Sequence, residues 1–342
     1  MRRRSFAIWI VLLLFVAPYA TSQPDQPDES AVLVIHFING ALGDGSFFDS
    51  AARGIAEAEA ELGIEVVTIE AGYNSSAWRE LLEAAAAGED YDLLITGTAL
   101  MRDLLSEVAK KHPDKRFIIY DSSVDYSEGS YENVYSVLYR QNEGAYLAGV
   151  YAALMTESGM IGILGGQNST TINDFVAGYR QGAEFVSPEV VVLVEYAESW
   201  DDPALGEALA AEMYGKGADI IFQAAGTTGL GVFRAAAKAG KYAIGVDSDQ
   251  AMMIEETDPE EASTILTSMM KIVDASLLRA LELYVNGVLP FGGAETLGIR
   301  EGGVGMARND RYDEATPAAV KAAIDREEED IRDGMTRVKT AF

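Results

Sequence analysis

The stretch Ala218-Asp219-Ile220-Ile221-Phe222-Gln223-Ala224-Ala225-Gly226 runs through Gly229, Gly231 and an alanine-rich segment into Tyr242-Ala243-Ile244-Gly245-Val246-Asp247-Ser248-Asp249-Gln250. It reads as strand, glycine turn, helix, strand. Both apolar runs are too short for helices and lack polar alternation, the pattern of parallel strands covered on both faces. Ligands of open α/β sheets bind beyond the carboxyl ends of their strands, which predicts Gly226 and Asp247 side by side at a site. A turn carrying three glycines can bring bare backbone N–H groups up to a ligand, and Asp247 can accept the paired hydroxyls of a ribose or sugar diol. The alternative at this point is a tight αβ unit whose glycines serve packing alone.

The same rhythm extends outward in both directions. Apolar runs at Ala31–Ile38, Ile64–Ile69, Leu93–Thr96 and Arg116–Tyr120 alternate with helical segments that end near Leu62 or span about Ser76–Ala87 and Leu100–Lys111. Asn133–Tyr139 leads into a helix over Gln141–Met155, after which the pattern restarts at Met160–Leu164, Val190–Glu195, Ile220–Gln223 and Tyr242–Val246. Two successive sets of this size predict two similar doubly wound α/β domains. Ser263–Ser268 is again strand-like and feeds a helix over Lys271–Val285; a glycine-rich tail (Gly292–Gly305) and an acidic amphipathic helix (about Asp313–Arg332) follow. The expected lobes are residues 31–139 with about 248–288, and 140–247 with about 289–342. Without a long low-complexity linker, the chain is expected to cross between them in short segments that act as a hinge.

The first 22 residues stand apart. Arg2-Arg3-Arg4, an apolar run from Phe6 to Ala17, and small residues at Ala20 and Ser22 make a secretory signal peptide, too short in its apolar part to span a bilayer. Residues 23–30, with two prolines and three acids, read as a disordered leader. The 342-residue chain has no cysteine, which excludes disulfides, thiolate metal sites and a lipid-modified cysteine after the signal. An exported chain without disulfides fits a periplasmic or other extracytoplasmic space. Of 26 basic residues three are signal arginines, so 23 face 54 acidic ones and the mature charge is near −31. Nucleic acid and anionic lipid, which need a basic footprint, are therefore poor partners.

Little in the sequence argues for catalysis. Only His36 and His112 supply imidazoles, one inside a strand-like run and one before Pro113 at a helix end, and both read as structural. No HExxH, G-x-S-x-G or Walker lysine is present, and the glycines after Gln223 miss the G-x-G-x-x-G spacing. No cofactor or metal is expected. What gathers at strand ends is polar and aromatic: Asn39, Asp44, Phe47 and Asp121 from the first half, then Trp200, Gly226 and Asp247 from the second, with Lys271 at the start of a late helix. Aromatics on either side of a cleft, carboxylates between them and one lysine can sandwich a planar base and bond its edge and sugar. Taken singly, Phe47 and Trp200 also suit core packing, and Asp202-Pro203 suits a helix N-cap.

Several motifs together carry a family resemblance. Asp44-Gly45-Ser46-Phe47, Glu143-Gly144-Ala145-Tyr146-Leu147-Ala148-Gly149, Gly165-Gly166 with Phe175-x-x-Gly178-Tyr179, Trp200-x-Asp202-Pro203 and Gly245-Val246-Asp247-Ser248-Asp249-Gln250 resemble the basic membrane protein family, nucleoside-binding proteins of ABC transporters. The resemblance covers about Leu33 to Leu289. It implies a type I periplasmic-binding-protein fold, two doubly wound α/β lobes joined by a hinge, and an extracytoplasmic protein that hands a purine nucleoside to an ABC permease. By position, Phe47 and Trp200 would stack, Asn39 and Asp121 would meet the base edge, Asp247 the ribose and Lys271 the 5′-hydroxyl. The chain departs from the family's usual residues at Asn39 (aspartate), Phe48 (asparagine) and Trp200 (phenylalanine), and it has no cysteine to acylate where many members are lipoproteins. The alternatives are a sugar or signalling-molecule receptor of the same fold, a sensory or adhesive surface protein, and a nucleoside hydrolase. The hydrolase would need a carboxylate cluster after the first strand, where only Asp44 and Asp49 stand.

Overall fold

The apolar runs form parallel strands in two six-stranded sheets. The computed structural model describes residues 31–342; the expected signal peptide and leader lie outside the described residues. The first sheet takes β1 (Leu33–Ile38), β2 (Glu65–Glu70), β3 (Leu93–Gly97), β4 (Arg116–Tyr120) and β5 (Val134–Tyr139). The second takes β6 (Met160–Gly165), β7 (Val191–Tyr196), β8 (Ile220–Ala224), β9 (Tyr242–Asp247) and β10 (Ile265–Lys271). Each sheet gains one further strand, β11 (Gly293–Leu297) beside β5 and β12 (Val304–Met306) beside β10.

The orders are β11-β5-β4-β3-β1-β2 and β12-β10-β9-β8-β6-β7, so each set of five repeats the same doubly wound order. Every pairing is parallel except β10 with β12. In each sheet the winding reverses beside the first strand of the set, between β1 and β3 and between β6 and β8. These switch points open a crevice beyond the strands' carboxyl ends. Strands β3 and β8 are buried along their whole length, as strands covered on both faces must be. Among the described residues no helix is long and apolar enough to cross a membrane.

The last third of the chain differs from its sequence reading in four places. β10 joins the second sheet and β11 the first, the reverse of where the expected lobe bounds place these two strands. Lys271 ends strand β10 rather than starting a helix, which begins at Val273. β11 and β12 were not expected, because Gly-Ala-Glu-Thr-Leu and Val-Gly-Met offer no apolar run. The acidic helix is two helices, Asp310–Ala315 and Ala318–Arg332, parted at Pro317, which lacks the N–H that a continuous helix needs. The chain thus passes between the sheets after β5, after β10, where the helix Val273–Val285 packs on Phe47–Leu62, and between β11 and β12.

Behind the second sheet the helices Gln141–Met155 and Thr170–Val186 touch through glycine. A Cβ on Gly178 would lie 2.1 Å from the Asn142 carbonyl oxygen, and one on Gly149 or Gly182 would meet the carbonyl of Tyr179 or Tyr146 at 2.1 Å. Backbone cannot yield as a side chain can, so Gly178→Ala should cost about 1–3 kcal/mol despite the better helix propensity of alanine. Urea denaturation of the variant and the wild type measures it.

Candidate functional site

A cavity of about 400 Å³ lies where the two switch points face each other, lined by residues that follow strands of both sheets. All eight residues singled out in the sequence line it. Asn39, Asp44 and Phe47 come after β1 and Asp121 after β4. Trp200 comes after β7, Gly226 after β8, and Asp247 and Lys271 close β9 and β10.

Lys271 anchors the electrostatics. Its ammonium is 2.8 Å from Asp121 Oδ1 and 4.0 Å from Asp247 Oδ1, with its side chain only 3% exposed. Phe175, Phe47 and Tyr139 surround the ammonium, with ring centroids 5.0, 5.4 and 5.7 Å away. Burial alone would lower the Lys271 pKa, but Asp121 and Asp247, with Asp174 behind them, overcome it and raise it. Asp247 is shifted upward by burial, against the pull of Lys271 and a hydrogen bond from Ser46. One cation thus serves several carboxylates, and Asp247 Oδ1 has no hydrogen-bond partner among the described residues.

The aromatic surface comes from both sides. Phe47, on the first sheet's side, stacks on Tyr120 at 5.4 Å and 30°. Trp200, on the second, packs against Gly166, where a Cβ would come within 2.3 Å of its ring. Its buried indole Nε1 also lacks a partner among the described residues. Asn39 is held by Thr98, whose hydroxyl accepts from Nδ2 at 3.0 Å. Of the three glycines in the turn after β8, Gly226 alone lines the cavity, in the left-handed region at φ 55°. Gly229 and Gly231 give close packing instead, since a Cβ would meet Gln223 at 1.8 Å and the Pro203 carbonyl at 2.1 Å.

Asp44 is largely satisfied internally, accepting from the backbone N–H of Ser46 (3.0 Å), Phe48 (2.9 Å) and Asp49 (3.1 Å). Asp202 caps the helix Pro203–Gly215, accepting from the Leu205 N–H. Asp249 caps the short helix after β9 and accepts from Asn309, while Gln250 braces β9 by accepting from the Val246 N–H. Among the described residues four non-glycine residues have positive φ, Thr98, Asp121, Glu198 and Asp247, and all four line the cavity. Such backbone strain, of order 1–3 kcal/mol each, concentrates at functional sites.

Tyr73, Thr98 and Phe175 also line the cavity and were missed by the site reading. Phe175 was within reach, because Phe175-x-x-Gly178-Tyr179 is one of the motifs that carry the resemblance. Tyr73 and Thr98 sit in polar loops without any local signal.

Residues 31–336 match the model of the Bmp family, described as ABC transporter substrate-binding protein PnrA-like. The chain belongs to this family. It is 32% identical to a Lactococcus lactis protein named ABC transporter nucleoside-binding protein BmpA, across 95% of this chain and 97% of that one. It is 30% identical to Basic membrane protein D of Borreliella burgdorferi, across 87% and 85%. Among solved structures, an ABC transporter system solute-binding protein from Aeropyrum pernix K1 is similar with a TM-score of 0.80 at 25% identity, covering 90% of this chain and 93% of that one. The Bmp fold is thus the type I periplasmic-binding fold that the strand order describes. Members of the Bmp family are substrate-binding proteins, not enzymes, and the hydrolase alternative falls.

Two buried groups beside the cavity oppose each other in acid. Burial pushes the Asp44 carboxyl up to about 6 and the His36 imidazole, which meets Tyr120 Oη at 3.2 Å, down to about 3. Between about pH 4 and 6 the folded protein holds the Asp44 proton more tightly than the unfolded chain, so that group lowers stability as pH rises. Over the same window the unfolded chain protonates His36 while the fold resists, so that group lowers stability as pH falls. The slopes oppose at up to about 1.4 kcal/mol per pH unit each. Asp44→Asn removes the first, so between pH 6 and 4 the variant should lose stability on acidification more steeply than the wild type, as urea denaturation across that range would show.

Proposed function

We propose that this Bmp protein captures a nucleoside, preferably a purine nucleoside, in the cavity between its two lobes and delivers it to an ABC permease. The observation that carries the reading is the pairing of aromatic rings with carboxylates in one cavity lining. Phe47, beside the Lys271 ammonium, and Trp200 line it from opposite lobes, with Asp121 and Asp247 held near the same ammonium. A ligand that joins a planar base to a polyol matches that lining, the base stacking on the rings and the hydroxyls meeting the carboxylates.

The carboxylate excess around a single ammonium also selects the polar end. Hydroxyl donors relieve the unpaired Asp247 Oδ1, whereas a phosphate would add negative charge to a site already short of cations. Asp247 takes the ribose hydroxyls in this reading, Lys271 the 5′-hydroxyl, and Asn39 and Asp121 the base edge, with Asp44 and Gly226 shaping the loops around them. The signal peptide at residues 1–22 directs export, and without a cysteine to acylate the protein diffuses freely in the extracytoplasmic space. The relative in Lactococcus lactis that is named a nucleoside-binding protein supports the same ligand class.

Calorimetric titration with adenosine, guanosine, inosine, uridine, ribose and galactose, after unfolding and refolding to remove carried-over ligand, tests the reading. Purine nucleosides should saturate the protein. Trp200→Ala should weaken them about 5- to 100-fold through lost stacking, and Asp247→Ala about tenfold or more through lost charged hydrogen bonds. Binding of ribose or galactose with no response to nucleosides would overturn it in favour of a sugar receptor.

A further inference from the structure

The loop between β1 and the helix Phe47–Leu62 reaches across to the end of β9, and it does so through a residue with no assigned role. Ser46 is fully buried. Its hydroxyl donates to Asp247 Oδ2 at 2.9 Å and lies 3.3 Å from the Val246 carbonyl. In return the Ser248 hydroxyl donates to the Ser46 carbonyl at 3.2 Å, and Gln250 Nε2 donates to the Gly45 carbonyl at 3.0 Å. The loop is stiffened from within, since Asp44 accepts from the Ser46 N–H and Asp49 accepts from the N–H groups of Gly43 (2.7 Å) and Gly45 (2.8 Å).

We propose that Ser46 is a positioning residue that joins closure of the two lobes to ligand capture, its hydroxyl locking one oxygen of Asp247 across the lobes and leaving the other, Oδ1, to the ligand. Two constraints meet in that carboxylate. Asp247 has φ 62°, a costly backbone for a non-glycine residue, so its loop needs outside support to hold the carboxylate in place. Asp247 is also buried, at 8% exposure, which is costly while Oδ1 has no hydrogen-bond donor and only the Lys271 ammonium 4.0 Å away. Ser46 supplies half of the donors that the buried carboxylate needs, and a ligand hydroxyl supplies the rest. The closed state therefore becomes favoured when the ligand arrives, because only then is the whole carboxylate satisfied. The proposal rests on the nucleoside reading only for the choice of ligand.

The absence of cysteine allows clean labelling at two exposed positions, Glu80→Cys on the first lobe and Ala211→Cys on the second, for single-molecule energy transfer. Ser46→Ala and Ser248→Ala are compared with the wild type, without ligand and with adenosine, guanosine or inosine. Both variants should shorten the closed-state dwell times of the ligand-free protein. Ser46→Ala should also raise nucleoside koff about tenfold or more, with kon and ligand-free Tm unchanged. Ser248→Ala separates the lock from the carboxylate contact, because it breaks a lobe-to-lobe bond without touching Asp247. Wild-type dwell times and koff in Ser46→Ala would overturn the proposal, as would a matching fall in ligand-free Tm, the mark of a merely structural role, or a wild type that never closes. If no nucleoside binds the wild type yet Ser46→Ala still shortens the closed dwell, the lock stands and the nucleoside reading falls.

Discussion

The ammonium of Lys271 is the interaction on which the site depends. It lies at the end of β10 in the second sheet and pairs with Asp121 at the end of β4 in the first, so a single ion pair spans the cavity. A lysine buried among three aromatic rings is tolerable only with such a partner, because removing an ammonium from water costs several kcal/mol. The converse also holds. Without Lys271, the carboxylates of Asp121 and Asp247, with Asp174 nearby, would face one another in a site of low dielectric and repel. Breaking a buried pair from one side leaves an uncompensated charge, so the lysine and its aspartates have to be understood as a unit.

The repeated winding of the two sheets explains why such a cluster can form at all. Each sheet alone would present only one switch point, with its polar loop ends open to water. Facing each other, the two bring residues distant in sequence into one cavity and supply it with both charged groups and aromatic rings. The arrangement carries a cost in backbone strain at Thr98, Asp121, Glu198 and Asp247. Rigid parallel strands, buried on both faces, hold those residues where isolated loops would relax.

The sequence was most legible where apolar runs are continuous. The ten strands through β10 and the helix Gln141–Met155 follow from periodicity, and the strand ends led directly to Asn39, Phe47, Asp121, Trp200 and Asp247. It was least legible where pairing is decided by distant partners. β11 has an exposed, alternating Gly-Ala-Glu-Thr-Leu pattern that becomes a strand only because β5 offers it an edge, and β12 has three residues. The placement of Lys271 depended on the same point, because a residue that ends a strand and one that begins a helix look alike in a run such as Met-Met-Lys-Ile-Val. Glycine was read too generously. Gly229 and Gly231 are there for packing between helices and loops, and only Gly226 stands at the cavity.

Asp44 shows how far a residue type can be read without its partners. An exposed-looking aspartate in a glycine-rich loop suggests a ligand contact, yet its oxygens are occupied by three backbone N–H groups at the head of the helix Phe47–Leu62. Its influence on the site is exerted through the loop it stiffens, which carries Ser46 to Asp247. Asp247, by contrast, has one oxygen without a hydrogen-bond donor among the described residues, with only the Lys271 ammonium 4.0 Å away. The number of donors already committed to each carboxylate, rather than its mere presence in the lining, is therefore the better guide to which acid meets the ligand.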